Sequence, residues 1–409
     1  LERPELLRQF GLILENVDGF EDPTVKFVMR GVPHTESLNK SILKPNDTRV
    51  GADERTGWGG DGAPAPGTLT LFPDGAVKQH FTKSLLRREG IDFVLPTVTQ
   101  ENKMRAYMLA TGRSQELVLS AVSLTNAGAN AGRLVFLDNA VGKCNRCHGN
   151  AGANVGNGTN VNFDTGVETV VHPARAVEDF PFDGGFGATP AAPCKGDPNR
   201  TCFGDATFNT PPLIEAADTE PFFHNNVIAD VEGAVAFYDS LAFNTSAAAN
   251  PNTGVGPIDL TLQQIQDIAA FLRVINASFN ADIAIQRNTA AISLENSADI
   301  PSPCGADAGT ECGGGGGEEG KRETINTLLA LSNAEALDAV EVLSARNLHS
   351  DAVKLFNSAI SKNNSAINET ASQKRKNLMN GAKNDLIAAK AKFGTGLDLG
   401  VLPDGNLLF

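Results

Sequence analysis

Positive charge is scarce in this sequence. Lysine and arginine number 34 against 48 aspartates and glutamates, a formal net charge of -14. That deficit argues against nucleic acid or an anionic membrane surface as the main partner. It suits a basic partner, although acidity also simply aids solubility. Long apolar runs are missing too: the sequence reads as having none that would span a bilayer. No signal peptide opens the chain, and it begins at Leu1 rather than at methionine, which points to a processed or truncated end. Tryptophan occurs once, tyrosine twice and methionine four times, so a site that depends on one of these side chains has few candidates. The rest is ordinary for a globular protein. Hydrophobic residues make up 41% of the chain, enough to bury a sizeable core, and 409 residues suggest two or three domains.

Cysteine is also uncommon, and its placement carries most of the chemistry. Cys144-Asn145-Arg146-Cys147-His148 is the only C-x-x-C-H in the chain, and this pattern reads as a c-type haem attachment site. Two thiols at that spacing reach one edge of one porphyrin and add to its vinyl groups, and the adjacent histidine is carried to the iron. The rivals are a thioredoxin-like redox pair and half of a zinc site. The first wants a strand-to-helix setting and the second a further ligand pair at close spacing, and neither lies nearby. The other four cysteines form two close pairs, Cys194/Cys202 and Cys304/Cys312. Each brackets a short polar loop and reads as a local disulfide, which implies an oxidising compartment.

Four segments follow one another. Residues 1–125 open with Leu6, Leu7, Phe10, Leu12 and Ile13, consistent with a short helix. A Gly/Pro/Asp-rich loop follows, containing Gly57-Trp58-Gly59-Gly60-Asp61-Gly62. The bland role of Trp58, the lone tryptophan, is to anchor that loop; the sharper one is an aromatic near a redox centre. Ala76–Arg87 and Thr99–Leu109 read as helices, with His80 structural and His34 unassigned. Residues 126–276 carry the motif. A helix over Ala131–Ala140 leads into it, and a Gly/Asn-rich stretch with His172 follows to about Asn209. Next comes a helix with Val231, Ala234, Val235 and Tyr238 on one face, then another with Ile265, Ile268, Ala269, Leu272 and Ile275 along one side. Tyr238 is a core aromatic on the plain reading and a haem contact on the sharper one. Residues 277–317 read as a linker or excursion ending in five glycines. Residues 318–409 read as a helical appendage, with a capping box at Ser332–Glu335 and helices over Ser350–Lys362 and Ala366–Phe393 stopped by Gly394. His349 belongs to this appendage.

Taken together, residues from about 130 to 276 resemble the C-terminal haem domain of the bacterial di-haem cytochrome c peroxidase/MauG family. The resemblance rests on Cys144-x-x-Cys147-His148, Phe208-x-Thr210-Pro211-x-Leu213 and Pro221-Phe222-Phe223-His224. Ala234-Val235-x-Phe237-Tyr238, Leu260-Thr261 and Ala270-Phe271-Leu272 follow in the family's order. The Gly57–Gly62 loop is similar to the tryptophan-bearing loop of the family's first domain. The resemblance implies a mainly α fold: a cytochrome c-like helical haem domain with long loops, preceded by a degenerate N-terminal cytochrome c-like domain. The C-terminal appendage lies outside it. It implies iron held between His148 and Tyr238, since the family places methionine or tyrosine at the second position and no methionine lies in that helix. An anionic oxygen ligand favours the ferric state and a low potential. The resemblance further implies His224 beside the haem, Trp58 as an electron relay, and Thr210 and Pro212 as carbonyl ligands of calcium.

One departure matters. The family's first domain has its own C-x-x-C-H, where peroxide or oxygen reacts, and none occurs here. The expectation is therefore a periplasmic or extracellular c-type cytochrome with one haem, passing single electrons to a redox protein partner. A di-haem peroxidase or MauG-like oxidase, with its other haem upstream of Leu1, is the second reading. A structural subunit that assembles through the C-terminal helices is the third.

Overall fold

The computed structural model describes residues 12–16, 27–31, 36–42, 54–60, 68–77, 88–153, 161–170, 185–186, 190–194, 197–203, 205–297 and 318–400. Among them the protein is mainly helical, and sheet is confined to four two-stranded pairs. The chain divides into two compact units that each draw on separated stretches. The first comprises Leu1–Thr111 and Ala131–Ala269, the second Gly112–Asn130 and Ala270–Phe409.

In the first unit, Leu12–Asn16 pairs antiparallel with Phe27–Gly31, so Leu12 and Ile13 lie on a strand and not on the helix expected there. The helix expected from Thr99 spans Val98–Ala110 and starts one residue earlier, because Thr97 and Gln100 close a capping box. Phe72–Val77 is helical; residues 78–87, with His80, lie outside the described residues, as do His34 and His172. The helix leading to the cysteine motif spans Ala127–Leu137. A Cβ at Gly132 would sit 1.9 Å from the Asp267 carbonyl oxygen, so this helix meets the one beginning at Leu262 in direct backbone contact, which only glycine permits. The Val231–Phe237 helix starts at Asp230, whose carboxylate accepts from Gly233 N at 2.7 Å. Its buried face is Val231, Val235 and Phe237, and Tyr238 is its C-cap.

The stretch from residue 277, read as a linker, is helical to Asn296: a single helix spans Leu262–Asn296. Ala277, Phe279, Ala281, Ile283 and Ala284 continue its buried face, while Asn276, Ser278 and Asn280 interrupt the apolar pattern that the sequence reading relied on. This helix is also long and apolar enough to cross a membrane, contrary to the sequence reading, but most of it is buried inside the protein.

The second unit packs the end of that helix with three more, Glu318–Ser344, Ser350–Asn368 and Ser372–Lys390. Ala290, Ala291 and Leu294 meet Ile325, Leu328, Leu329, Ala366 and Met379 in one core. Ser332 lies inside the Glu318–Ser344 helix and caps nothing. Its hydroxyl donates to the Ala284 carbonyl at 2.9 Å, a tertiary partner that local spacing does not reveal. Asn288 Nδ2 donates to Asn363 Oδ1 at 2.7 Å, and Asn363 Nδ2 to Asn333 Oδ1 at 3.0 Å. A buried Arg375–Glu295 ion pair at 2.6 Å adds a charged tie. Beyond the last helix the chain lies along residues 114–125. Gly394 pairs with Leu124 and Thr395 with Ser123, and Gln115 N donates to the Leu399 carbonyl. Leu397 and Leu399 are buried. The apolar tail Asn406–Phe409 lies outside the described residues.

Cys194 and Cys202 fall on the paired strands Pro190–Cys194 and Asp197–Phe203, with Cys202 opposite Ala192. The two disulfides expected from spacing, this pair and Cys304/Cys312, concern side chains outside the described residues.

Candidate functional site

The motif occupies a single helical turn, Cys144–Arg146, closed by Cys147 N and His148 N donating to the Cys144 carbonyl at 3.2 and 2.9 Å. The turn is fixed from outside by its own cations. Lys143 Nζ donates to the Pro257 carbonyl, and Arg146 Nη1 to the Val255 carbonyl at 2.8 Å. Cys144 and Cys147 are both free thiols. Burial pushes each up to about 12; Cys147 adds to the rise at Cys144, and Arg146 opposes the rise at Cys147. Among the described residues there is no group of three or more His, Cys, Asp or Glu that could hold a metal ion.

His148 is buried, and its Nδ1 lies 3.0 Å from the Pro211 carbonyl. An imidazole nitrogen facing a carbonyl oxygen carries the proton, so the tautomer is set and Nε2 is the lone-pair nitrogen. Burial lowers the His148 pKa to about 4 against the opposing pull of the Pro211 hydrogen bond. The ring is therefore neutral near pH 7, the form a metal needs.

Tyr238 stands close enough to this turn for both cysteines to act on it. Burial first, then the charge of Cys147 and Cys144, hold its phenol well above the usual tyrosine value. Three phenylalanines cage the ring: Phe243 with centroids 5.0 Å apart, Phe237 at 5.3 Å and Phe223 at 6.2 Å. Cys144 and Cys147, up to 94 positions before Tyr238 in the sequence, thus act on it electrostatically.

The remaining expected residues form a second group in the same unit. Phe208 lies flat on His224, with centroids 3.4 Å apart and planes at 7°. Trp58 meets the same imidazole edge-on at 6.4 Å, and its Nε1 donates to the Gly31 carbonyl at 2.9 Å. Glu168 approaches His224 Nε2 at 3.7 Å, with both side chains buried. Thr210 is buried and its hydroxyl donates to the Val161 carbonyl at 2.8 Å. A cation near Thr210 and Pro212 would have to rely on carbonyl oxygens, as the sequence reading supposed. The two groups adjoin along the chain, through residues 208–211 and through Phe223 and His224. His349 lies in the second unit, edge-on to Phe393 at 5.1 Å, and takes no part.

No protein family, no curated protein and no solved structure matches this chain.

Several contributors escaped the sequence reading. Glu168, Arg55 and Asn209 act over 56, 154 and 152 positions, and no local spacing announces such pairs. The cationic staples had a visible signal, since Lys143 immediately precedes the motif and Arg146 lies within it.

Proposed function

We propose that this chain is a c-type cytochrome that carries one covalently attached haem per attachment motif and passes single electrons outside the cytoplasm, built on the plan of the di-haem cytochrome c peroxidase/MauG haem domain. The observation that carries the reading is the Cys144–Arg146 turn that presents both thiols, with the adjacent His148 Nδ1 committed to the Pro211 carbonyl and Nε2 left to bind.

The residues present fit the group. Two reduced thiols lie three positions apart on one turn. Beside them is a neutral histidine with a fixed tautomer, and a phenol caged by apolar rings stands in the same neighbourhood. Haem, when bound, supplies an iron that exchanges one electron between its ferrous and ferric states. Cys144 and Cys147 would anchor it as thioethers. His148 Nε2 and the Tyr238 oxygen would hold its iron. The anionic oxygen favours the ferric state and a low potential. His224, held between Phe208, Trp58 and Glu168, is the nearby buried polar group, with Trp58 as the aromatic of the electron path. Thr210 and Pro212 offer carbonyls for calcium. The chain's -14 net charge suits a basic redox protein as partner.

Haem content per chain is the test. The protein, co-expressed with a cytochrome c maturation system and purified from the periplasm, is expected to carry one covalent haem, lost in Cys144→Ala/Cys147→Ala. Absence of covalent haem overturns the reading. Two haems per chain with a high-spin component that reacts with peroxide would replace it by an enzyme.

A further inference from the structure

The Pro211 carbonyl that orients His148 belongs to a segment unable to hold itself. Pro211 and Pro212 have no amide hydrogen, so neither can anchor this stretch through its own N–H. The anchors stand on either side. Downstream, Leu213 N donates to the Ala151 carbonyl at 2.8 Å. Upstream, Thr210 is tied to Val161, and Asn209 makes three further hydrogen bonds, all to one loop. Its backbone N donates to the Trp58 carbonyl at 2.8 Å. Its Nδ2 donates to the Gly57 carbonyl at 3.3 Å, and its Oδ1 accepts from Arg55 Nε at 3.1 Å. Arg55 is itself fully buried. Asn209 also faces Asn162 across a two-residue strand pair, and Asn162 Nδ2 donates to the Gly59 carbonyl at 2.8 Å.

We propose that Asn209 is a positioning residue for His148: by locking onto the Arg55–Trp58 loop it holds the Pro211 carbonyl against Nδ1. This rests on the haem reading above. A carbonyl that accepts from Nδ1–H raises the basicity of the opposite nitrogen and fixes the ring's rotation. A more basic ligand favours the ferric state. Asparagine suits the position because one planar amide offers both a donor to Gly57 and an acceptor to Arg55. Leucine, though similar in size, would offer neither.

The test uses the full-length, haem-loaded protein and two variants. Asn209→Ala removes both side-chain bonds. Arg55→Lys keeps the buried charge and removes the Nε contact. Each is compared with wild type at equal haem content, by redox titration and by the ferric electron paramagnetic resonance spectrum. Both variants are expected to raise the midpoint potential and to alter the ferric g-values, Asn209→Ala more than Arg55→Lys. A loss of stability with no specific role would leave both readings unchanged. Wild-type midpoint and g-values in Asn209→Ala overturn the inference. If that variant does not accumulate, Arg55→Lys decides in the same way. Wild-type protein that takes up no haem overturns the reading of the site, and the inference with it. Haem-loaded protein with unmoved variants overturns the inference alone.

Discussion

Glu168 and His224 meet inside the first unit at 3.7 Å, with side chains 3% and 2% exposed. Both side chains are almost wholly removed from water, so truncating either one disturbs a desolvated polar contact. Glu168→Ala and His224→Ala should each destabilise the protein by about 2 kcal/mol. The double variant should cost clearly less than the sum. Denaturant unfolding of the four proteins gives the coupling directly, and additive losses would show that the two residues act independently.

Tyr238→Phe keeps the ring that Phe223, Phe237 and Phe243 enclose and removes only the oxygen. Stability should change little. The ferric absorption spectrum of the haem-loaded protein should move toward high spin and its potential should rise. An unchanged spectrum would take Tyr238 off the iron.

Gly132→Ala puts a methyl group where the Asp267 carbonyl oxygen already lies, 1.9 Å from the new carbon. Two backbones must separate to admit it. We expect a loss of at least 1–3 kcal/mol, roughly the range for overpacked cores, together with reduced haem content, since the displaced helix leads straight into Cys144. Wild-type stability would mean that the two helices do not meet at that point.

His349 gives the second unit a sensitivity to acid. Burial lowers its pKa in the folded state, and the charge of Asp351, paired with Lys392 at 3.5 Å, only partly opposes that. Among the described residues its buried Nε2 has no hydrogen-bond partner. A folded-state pKa below the unfolded value of about 6.5 means that the unfolded chain takes up the proton first. The contribution to stability is thus complete above that value and is lost as the pH falls below it. Asp351 and Glu369, both lowered, lose theirs at more acidic pH, while Asp282, raised by burial, works in the opposite sense. Comparing His349→Phe with wild type between pH 8 and pH 5 isolates the histidine. The variant should have the flatter profile, and parallel profiles would remove His349 as the cause.

Much of the site was legible because its chemistry is local. Cys144, Cys147 and His148 declare themselves through spacing alone. Tyr238 was reached by resemblance, and the structure sets it among Phe223, Phe237 and Phe243. Glu168 and Asn209 were not legible, since a buried carboxylate–imidazole contact or amide joint is made by the fold and leaves no periodic mark. The helices starting near residues 262 and 350 could be read from apolar spacing. The continuation to Asn296 could not, because Asn276, Ser278 and Asn280 are polar residues on buried positions. Ser332 misled for a related reason: a serine three positions before a glutamate looks like a cap until the Ala284 carbonyl supplies its true partner. The separation of the units was the least visible, because Gly112–Asn130 belongs with residues that follow it by more than 140 positions.

The strap along residues 114–125 has a consequence for synthesis. Ser114, Gln115 and Thr125 donate their backbone N–H groups to Gly400, Leu399 and Phe393, and Ser123 and Leu124 pair with Thr395 and Gly394. A growing chain emerges from the ribosome in order at about 5–20 residues per second, so these backbone groups wait many seconds for the strand that satisfies them. The cysteine motif leaves the ribosome well before that, so Cys144 and Cys147 are exposed to whatever handles them while the second unit is still being made.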